Sequence, residues 1–243
     1  MNNRLTIAMP YYEAPTMLEE HIKWWDDYEP GEVSIVIVDD GSEINTALSV
    51  LEWRGVPDGL DLSLFRVELN IPWNHAGARN LAMKHVKTEW ALLTDIDHLL
   101  FPWAAKKLMR LSLDPVLVYQ PPRYDRVDGA PQRTERHTDS YIITPEMFWN
   151  VGGYDEQFTG YWNGAFEPFR KALKRTTKIV EVGEGHLLRF NNTHEIPDAN
   201  VTEWGRKGTE FDINHEPHLK KKQRVAMKKY KPQVLQFQWE QLI

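Results

Sequence analysis

Residues Trp90-Ala91-Leu92-Leu93-Thr94-Asp95-Ile96-Asp97 run from a short apolar segment straight into two carboxylates one residue apart. In a chain that alternates strand and helix, this puts negative charge at the carboxyl edge of a sheet, where ligands bind. Two hard oxygen donors suit Mg2+ or Mn2+, and such a cation suits a diphosphate. An Asp-x-Asp pair is common by chance, so its position at the end of an apolar run carries the inference.

Working outward, Leu5 to Met9 reads as a strand closed by Pro10. Thr16 with Glu19 predicts a capping box opening a helix with Leu18, Ile22 and Trp25 on one face. Val33 to Val38 is a continuous apolar strand ending in Asp39-Asp40-Gly41-Ser42, and Leu62 to Leu69 is a third strand. His75 to Val86 has helical spacing, with Asn74 as N-cap. Helix and strand then continue over 103–113, 116–120, 140–144, 145–150, 165–175 and 178–182. Strands apolar along their length predict an α/β fold, a mostly parallel sheet covered by helices on both faces. The expected division is one domain over 1–184, with 185–243 a less regular C-terminal extension packing on the same domain.

The 243 residues suffice for one large domain, and 42% hydrophobic with 26% charged residues is ordinary for a globular chain. Zero cysteines exclude disulfides, thiolate catalysis and Cys-ligated zinc. Neither a secretory signal nor an apolar run of membrane-spanning length is visible, so the expectation is a cytoplasmic protein without a membrane span. The net charge of −6 gives no global bias toward nucleic acid, but residues 219–231 carry seven basic residues and no acid. That run is either a solvated helix face or a contact for a phosphate-bearing partner, nucleic acid included. Ten tryptophans are many for this length, and aromatic faces can serve as sugar platforms as well as core.

Three strand ends converge on one edge: Pro10-Tyr11-Tyr12-Glu13, Asp39-Asp40-Gly41-Ser42 and Thr94-Asp95-Ile96-Asp97. Neither Gly-x-Gly-x-x-Gly nor a P-loop pattern follows the first strand, so phosphates must be held by a metal and basic side chains. Arg79, one turn into the helix that starts after Asn74, is the basic candidate.

This set resembles glycosyltransferase family 2, nucleotide-diphospho-sugar transferases of the Rossmann-like GT-A fold. The resemblance rests on the strand-Pro-Tyr-Tyr opening, Val36-Ile37-Val38-Asp39-Asp40-Gly41-Ser42, Gly77-Ala78-Arg79-Asn80-Leu81-Ala82, Thr94-Asp95-Ile96-Asp97 and Gly152-Gly153-Tyr154-Asp155-Glu156, and covers about residues 4–175. It implies that Pro10, Tyr11, Asp39 and Asp40 hold the base and ribose, and that Arg79 lies against the nucleotide. It also implies that Asp95 and Asp97 place Mn2+ or Mg2+ on the diphosphate, with Asp97 the direct ligand and Asp95 nearer the ribose. Family members carry an acidic pair before a later helix; here Glu167 is the only carboxylate in place, read as catalytic base or as a helix-start charge. Asp155 and Glu156 read as structural.

The resemblance also implies a C-terminal histidine ligand, His194 in preference to His186, while His98 is expected to point away and His215 and His218 are open. Residues 121–137, 160–167 and the extension should form the acceptor pocket, with 120–129 as a loop over the site and Trp162 stacking on a sugar. The implied activity is metal-dependent, inverting transfer from a nucleotide-diphosphate sugar, UDP-sugar favoured, to a glycan or other acceptor hydroxyl. The alternatives are the same chemistry on a nucleic-acid base, and a non-catalytic nucleotide-sugar or glycan-binding protein.

Overall fold

The seven mainly apolar residues Leu5–Tyr11 form β1 and the seven residues Val33–Asp39 form β2, both buried along their whole length. Between them runs α1 (Pro15–Trp25); α2 (Ala47–Arg54) leads to β3 (Asp61–Val67), and α3 (His75–Lys84) to β4 (Trp90–Leu93). The computed structural model describes residues 5–29, 31–127, 130–161, 163–189 and 213–243. The remaining elements are β5 (His98–Leu100), α4 (Pro102–Leu108), β6 (Val118–Gln120), β7 (Arg123–Val127), β8 (Ala130–Thr134), β9 (Tyr141–Ile143) and α5 (Pro145–Val151). They are followed by α6 (Phe166–Thr176), β10 (Ile179–Glu181), β11 (Leu187–Arg189), α7 (Pro217–Ala226) and β12 (Trp239–Gln241).

The main sheet has the order β10-β6-β9-β4-β1-β2-β3-β12. β4, β1, β2 and β3 are mutually parallel, whereas β9 runs antiparallel between β4 and β6 and β12 closes the far edge antiparallel to β3. Chain order proceeds outward from β1 through β2 to β3, then returns to the other side of β1 for β4. That reversal is a topological switch point between β1 and β4, the place where open α/β sheets bind ligands.

Alternate residues of each buried strand feed opposite cores. Ile7, Met9, Ile35, Ile37, Leu64 and Leu92 pack under α1, α2 and α4. Ala8, Val36, Val38, Phe65, Ala91 and Leu93 pack under α3, α5, α6 and α7. Continuous apolar strands are what a sheet covered on both faces requires.

Local signals were read correctly in some places and not in others. The expected capping box at Thr16 does not start α1: Pro15 takes the first helical position and Ala14 the cap, without a side-chain cap bond. Proline suits that position because its missing N–H would have no intrahelical partner there. Asn74 does cap α3 by position, but its side chain is spent elsewhere. Within the segment 120–129, read as a loop, Gln120 ends β6 and Arg123–Val127 form β7, which pairs antiparallel with β8 and joins β11 and β5 in a second sheet of order β5-β11-β7-β8.

The C-terminal residues 213–243 tie back onto the α/β unit. Gln223 on α7 donates to the carbonyls of Asn163 and Gly164 at 3.0 and 3.1 Å. Glu156 is buried and accepts from the Asn80 amide (2.7 Å) and from the backbone N–H groups of Leu235 and Gln236 (2.7 and 2.8 Å). One carboxylate thus joins α3 to the segment that leads into β12. Glu156→Ala takes this acceptor from one buried and two part-buried donors, and chemical denaturation should report a loss of roughly 2–4 kcal/mol.

Candidate active site

The tips of β1 and β2 are locked from within. Asp39 accepts from the Ser42 and Ala47 N–H groups, both at 2.8 Å, so its carboxylate closes the turn and holds the start of α2. Burial raises the Asp39 pKa even against those bonds. The Tyr11 hydroxyl donates to the Asn45 carbonyl at 2.6 Å. Glu13, in the left-handed region at φ 44°, accepts from the N–H groups of Glu43, Ile44 and Asn45. Burial alone would raise Glu13, but those three amides hold it below its ordinary value. Gly41 sits at φ 80°, and a Cβ there would lie 2.7 Å from the Leu69 carbonyl oxygen, so the turn needs glycine. Asp40 accepts from the Asn74 side chain at 3.0 Å, which ties β2 to α3. Pro10, buried in β1, pairs with Val38.

Across the switch point, Asp95 is the centre of the site. Its Oδ1 accepts from the Arg79 guanidinium and from His75 Nε2, the latter at 2.7 Å. Arg79 has no exposed surface and also donates to the Asp139 carbonyl (2.6 Å) and the Tyr154 hydroxyl (3.1 Å). Arg79, the side chain expected to lie against the nucleotide, has no open surface here and holds Asp95. Burial alone would lower the guanidinium, but Asp95, Tyr154 and Asp139 keep it above its ordinary value. Burial likewise works to raise Asp95, yet Arg79 and His75 hold it well below the usual carboxylate range.

Asp97 Oδ1 accepts from His98 Nδ1 at 2.6 Å. His98, expected to point away, is a correction: it is buried at this edge, its ring 4.5 Å from that of His137 between centroids. His137 is bonded through Nδ1 to Ser140 Oγ (2.9 Å), and its Nε2 lies 3.6 Å from Asp95 Oδ2. Burial, helped by His98, pushes His137 down to about 3, so it is neutral near pH 7. One donor atom each from Asp95, His98 and His137 lie within 4.8 Å of one another, a set that fits a divalent cation.

Glu167 occupies the first turn of α6, with its side chain 55% exposed and 3.6 Å from Arg170. Its neighbour Phe166 reaches the site: that ring is 5.2 Å from the His75 ring and 5.6 Å from the Arg79 guanidinium carbon. Beside Arg170 opens a cleft of about 450 Å³ lined by Gln120, Glu135, Arg136, Thr138, Arg170 and Lys174. Trp162 and His194 lie outside the described residues, as does the side chain of His215. His186 packs between Trp103 and Tyr124 and bonds the Gly183 carbonyl. Exposed His218 sits 3.4 Å from Glu216. Asp155 and Glu156 are structural as expected, Asp155 accepting from the Gln157 and Gln233 N–H groups.

Sequence reasoning passed over His75, His137 and Asp139. His75 opens the helix whose Arg79 drew the attention, and only the fold reveals that both side chains converge on one oxygen. His137 and Asp139 follow a hairpin read as loop, in His137-Thr138-Asp139-Ser140, which matches no familiar pattern.

Burial raises Asp139 to about 6 despite the nearby Arg79. A carboxyl raised in the folded state contributes stability below its unfolded value, about 3.9, and loses it as pH rises through about 6. Asp139→Asn should remove that slope. The wild-type advantage over the variant should shrink by about 2–3 kcal/mol between pH 4 and pH 7, measured by urea denaturation.

The sequence pattern of glycosyl transferase family 2 matches residues 6–193. No curated protein matches the chain. Residues 1–349 of S. aureus TarS in complex with UDP-GlcNAc are 16% identical, with a TM-score of 0.63 over 92% of this chain and 66% of that one. The mannosyltransferase PcManGT from Pyrobaculum calidifontis, in complex with GDP-Man and Mn2+, is 17% identical, with a TM-score of 0.62 over 96% of this chain and 66% of that one. At such identities the likeness is one of fold, and the chain spans no more than 66% of the length of either structure. No helix among the described residues is long and apolar enough to cross a membrane. The matched pattern takes in both strand tips, the arginine-bearing helix and the aspartate pair, and the chain belongs to glycosyl transferase family 2.

Proposed function

We propose that the protein transfers a sugar from a nucleotide-diphosphate sugar, with UDP-sugar the favoured donor, to an acceptor hydroxyl with inversion. The observation that carries this reading is the gathering of Asp95, Asp97, His98 and His137 at the switch point between β1 and β4. Similar structures hold UDP-GlcNAc, or GDP-Man with Mn2+, which supports a nucleotide-sugar donor and a divalent cation here.

In this reading the nucleoside lies over the tips of β1 and β2, where Pro10, Tyr11, Asp39 and Asp40 shape the floor. Mn2+ or Mg2+ is held at the Asp95–Asp97 edge, with His194 as a further ligand, and when bound it neutralises charge on the departing diphosphate. Arg79 fixes Asp95 in place. Glu167 is the proposed base: its exposed carboxylate takes the acceptor proton as the acceptor oxygen bonds to the anomeric carbon and the bond to the diphosphate breaks. Attack from the face opposite the leaving group inverts that carbon. Trp162 stacks on the acceptor sugar.

A nucleic-acid acceptor is the second reading, favoured by the exposed Lys221, Lys222, Arg224, Lys228 and Lys229 on and after α7. Binding to DNA or RNA that falls steeply with salt would support it. Retained UDP-sugar binding without turnover on any acceptor would instead favour the non-catalytic alternative.

A thermal-shift panel of UDP-, GDP- and dTDP-sugars with and without Mn2+ tests the donor directly. UDP-sugars with the cation should raise the melting temperature most, by mass action on the folded state. No stabilisation by any member sinks the reading. Glu167→Gln should lower kcat by about 10²–10⁴ while leaving donor affinity near wild type. A change below tenfold would remove Glu167 from the chemistry.

A further inference from the structure

His98 carries an unusual burden for a histidine with 1% of its surface exposed. Its Nδ1 is committed to Asp97 Oδ1 at 2.6 Å, and its Nε2 is buried without a hydrogen-bond partner among the described residues. With a carboxylate on Nδ1, the neutral ring carries its proton there and Nε2 presents a lone pair, the form in which imidazole binds a cation. A buried acceptor left unpaired is costly, and a cation relieves that cost.

The neighbouring groups point the same way. His137 is fixed through Nδ1 by Ser140 Oγ, itself 2.9 Å from Thr94 Oγ1, leaving Nε2 turned toward Asp95. Asp95 spends Oδ1 on Arg79 and His75, and its Oδ2 faces His137 Nε2 at 3.6 Å. Ligand atoms about 2.1 Å from a shared ion lie about 3–4.2 Å apart. The observed spread of up to 4.8 Å needs only slight closure.

We infer that the cation is seated by Asp95 Oδ2, His98 Nε2 and His137 Nε2, with Asp97 orienting His98 from behind instead of binding the ion. The inference rests on the cation-assisted reading above and changes which residues do the binding. A carboxylate that fixes the far nitrogen of a ligating histidine is the usual supporting arrangement at metal centres. Two imidazoles and one carboxylate leave coordination positions open for diphosphate oxygens. Imidazole donors favour first-row transition cations, whereas Mg2+ prefers an all-oxygen shell with retained waters. The site therefore takes Mn2+, Co2+ or Zn2+ over Mg2+.

The test titrates the full chain with Co2+, without nucleotide, by calorimetry and by visible absorption. NMR of the zinc-loaded protein reports on the histidine nitrogens. Expected are one Co2+ per chain with nitrogen-ligated absorption, zinc-dependent shifts at Nε2 of His98 and His137, and no competition from equimolar Mg2+. His137→Ala should weaken Co2+ by more than about 100-fold and Asp97→Asn by about 10–100-fold. Because His98 is buried, the wild-type NMR shifts keep its role testable even where His98→Gln fails to fold. Unchanged Co2+ affinity in folded His137→Ala, or wild-type spectra of an all-oxygen site, overturns the proposal. Nucleotide binding in the same samples separates the two readings. UDP retained with an all-oxygen ion overturns the imidazole set alone, whereas Co2+ bound through histidine without any nucleotide-sugar binding overturns the donor reading alone.

Discussion

The ion pair between buried Arg79 and partly exposed Asp95 is the constraint on which the site depends. Taking the guanidinium and much of the carboxylate out of water is expensive, and further hydrogen bonds from Arg79 offset part of that cost. Arg79 Nη1 reaches the Asp139 carbonyl and the Tyr154 hydroxyl, and so links α3, the end of β4, the approach to β9 and the loop after α5, while Nε has no hydrogen-bond partner among the described residues. The rings of Tyr154 and Phe166 flank the guanidinium at 5.8 and 5.6 Å and keep water from it. Removing one partner of such a pair typically costs 3–5 kcal/mol, because the other charge is then stranded. The same bonds pin one oxygen of Asp95 and leave the second facing His137.

The rest of α3 works in the same manner. Asn80 accepts from the Tyr154 N–H and donates to the Tyr154 carbonyl, both at 2.8 Å, so a side chain stands in for a strand neighbour. Asn74 turns from the helix end to Asp40, and its Oδ1 would lie 2.3 Å from a Cβ at residue 77, which explains Gly77. Helix, strand tips and the Glu156 clamp thus form a single polar lattice beneath the ligand edge. Preorganisation of this kind lets an active site stabilise charge without rearranging as charge develops.

Much of this was legible in the residues, for identifiable reasons. The runs 5–9, 33–38 and 90–94 are apolar on successive residues instead of alternate ones, broken only by Thr6, Ser34 and Thr94, because both faces of the central strands are covered. The location of Asp95 and Asp97 followed from where the last of those runs stops. Strand direction did not follow, since an apolar run such as Tyr141–Ile143 reads alike parallel or antiparallel, and β9 turned out antiparallel. The β7–β8 pair escaped because the stretch looks like a polar loop once the half-buried charges of Arg123 and Asp125 are taken as solvated. Arg123 and Arg189 on β7 and β11 instead gather around Asp125, a pattern visible only after the strands are paired. Residue roles were the least legible. A charged residue at a strand tip reads as a ligand contact, yet the Asp39 carboxylate turns to the Ser42 and Ala47 N–H groups, because loops at such a tip need their own polar groups satisfied first.

Charge at the edge bears on how a donor would be received. Arg79 and Asp95 offset one another as a pair, while Asp97 accepts a hydrogen bond from His98 Nδ1. Neutral His137 contributes no positive charge. A bare diphosphate approaching the tips of β1 and β4 would therefore meet carboxylate charge of its own sign. A divalent cation reverses that local sign, and a bound ion is commonly the largest charge in such a site. On the proposed reading, the cation and the diphosphate then favour each other's binding, and each raises the affinity for the other by the same factor. The histidines make this arrangement economical in charge: they add donor atoms for the ion without adding further negative charge that the diphosphate would have to overcome.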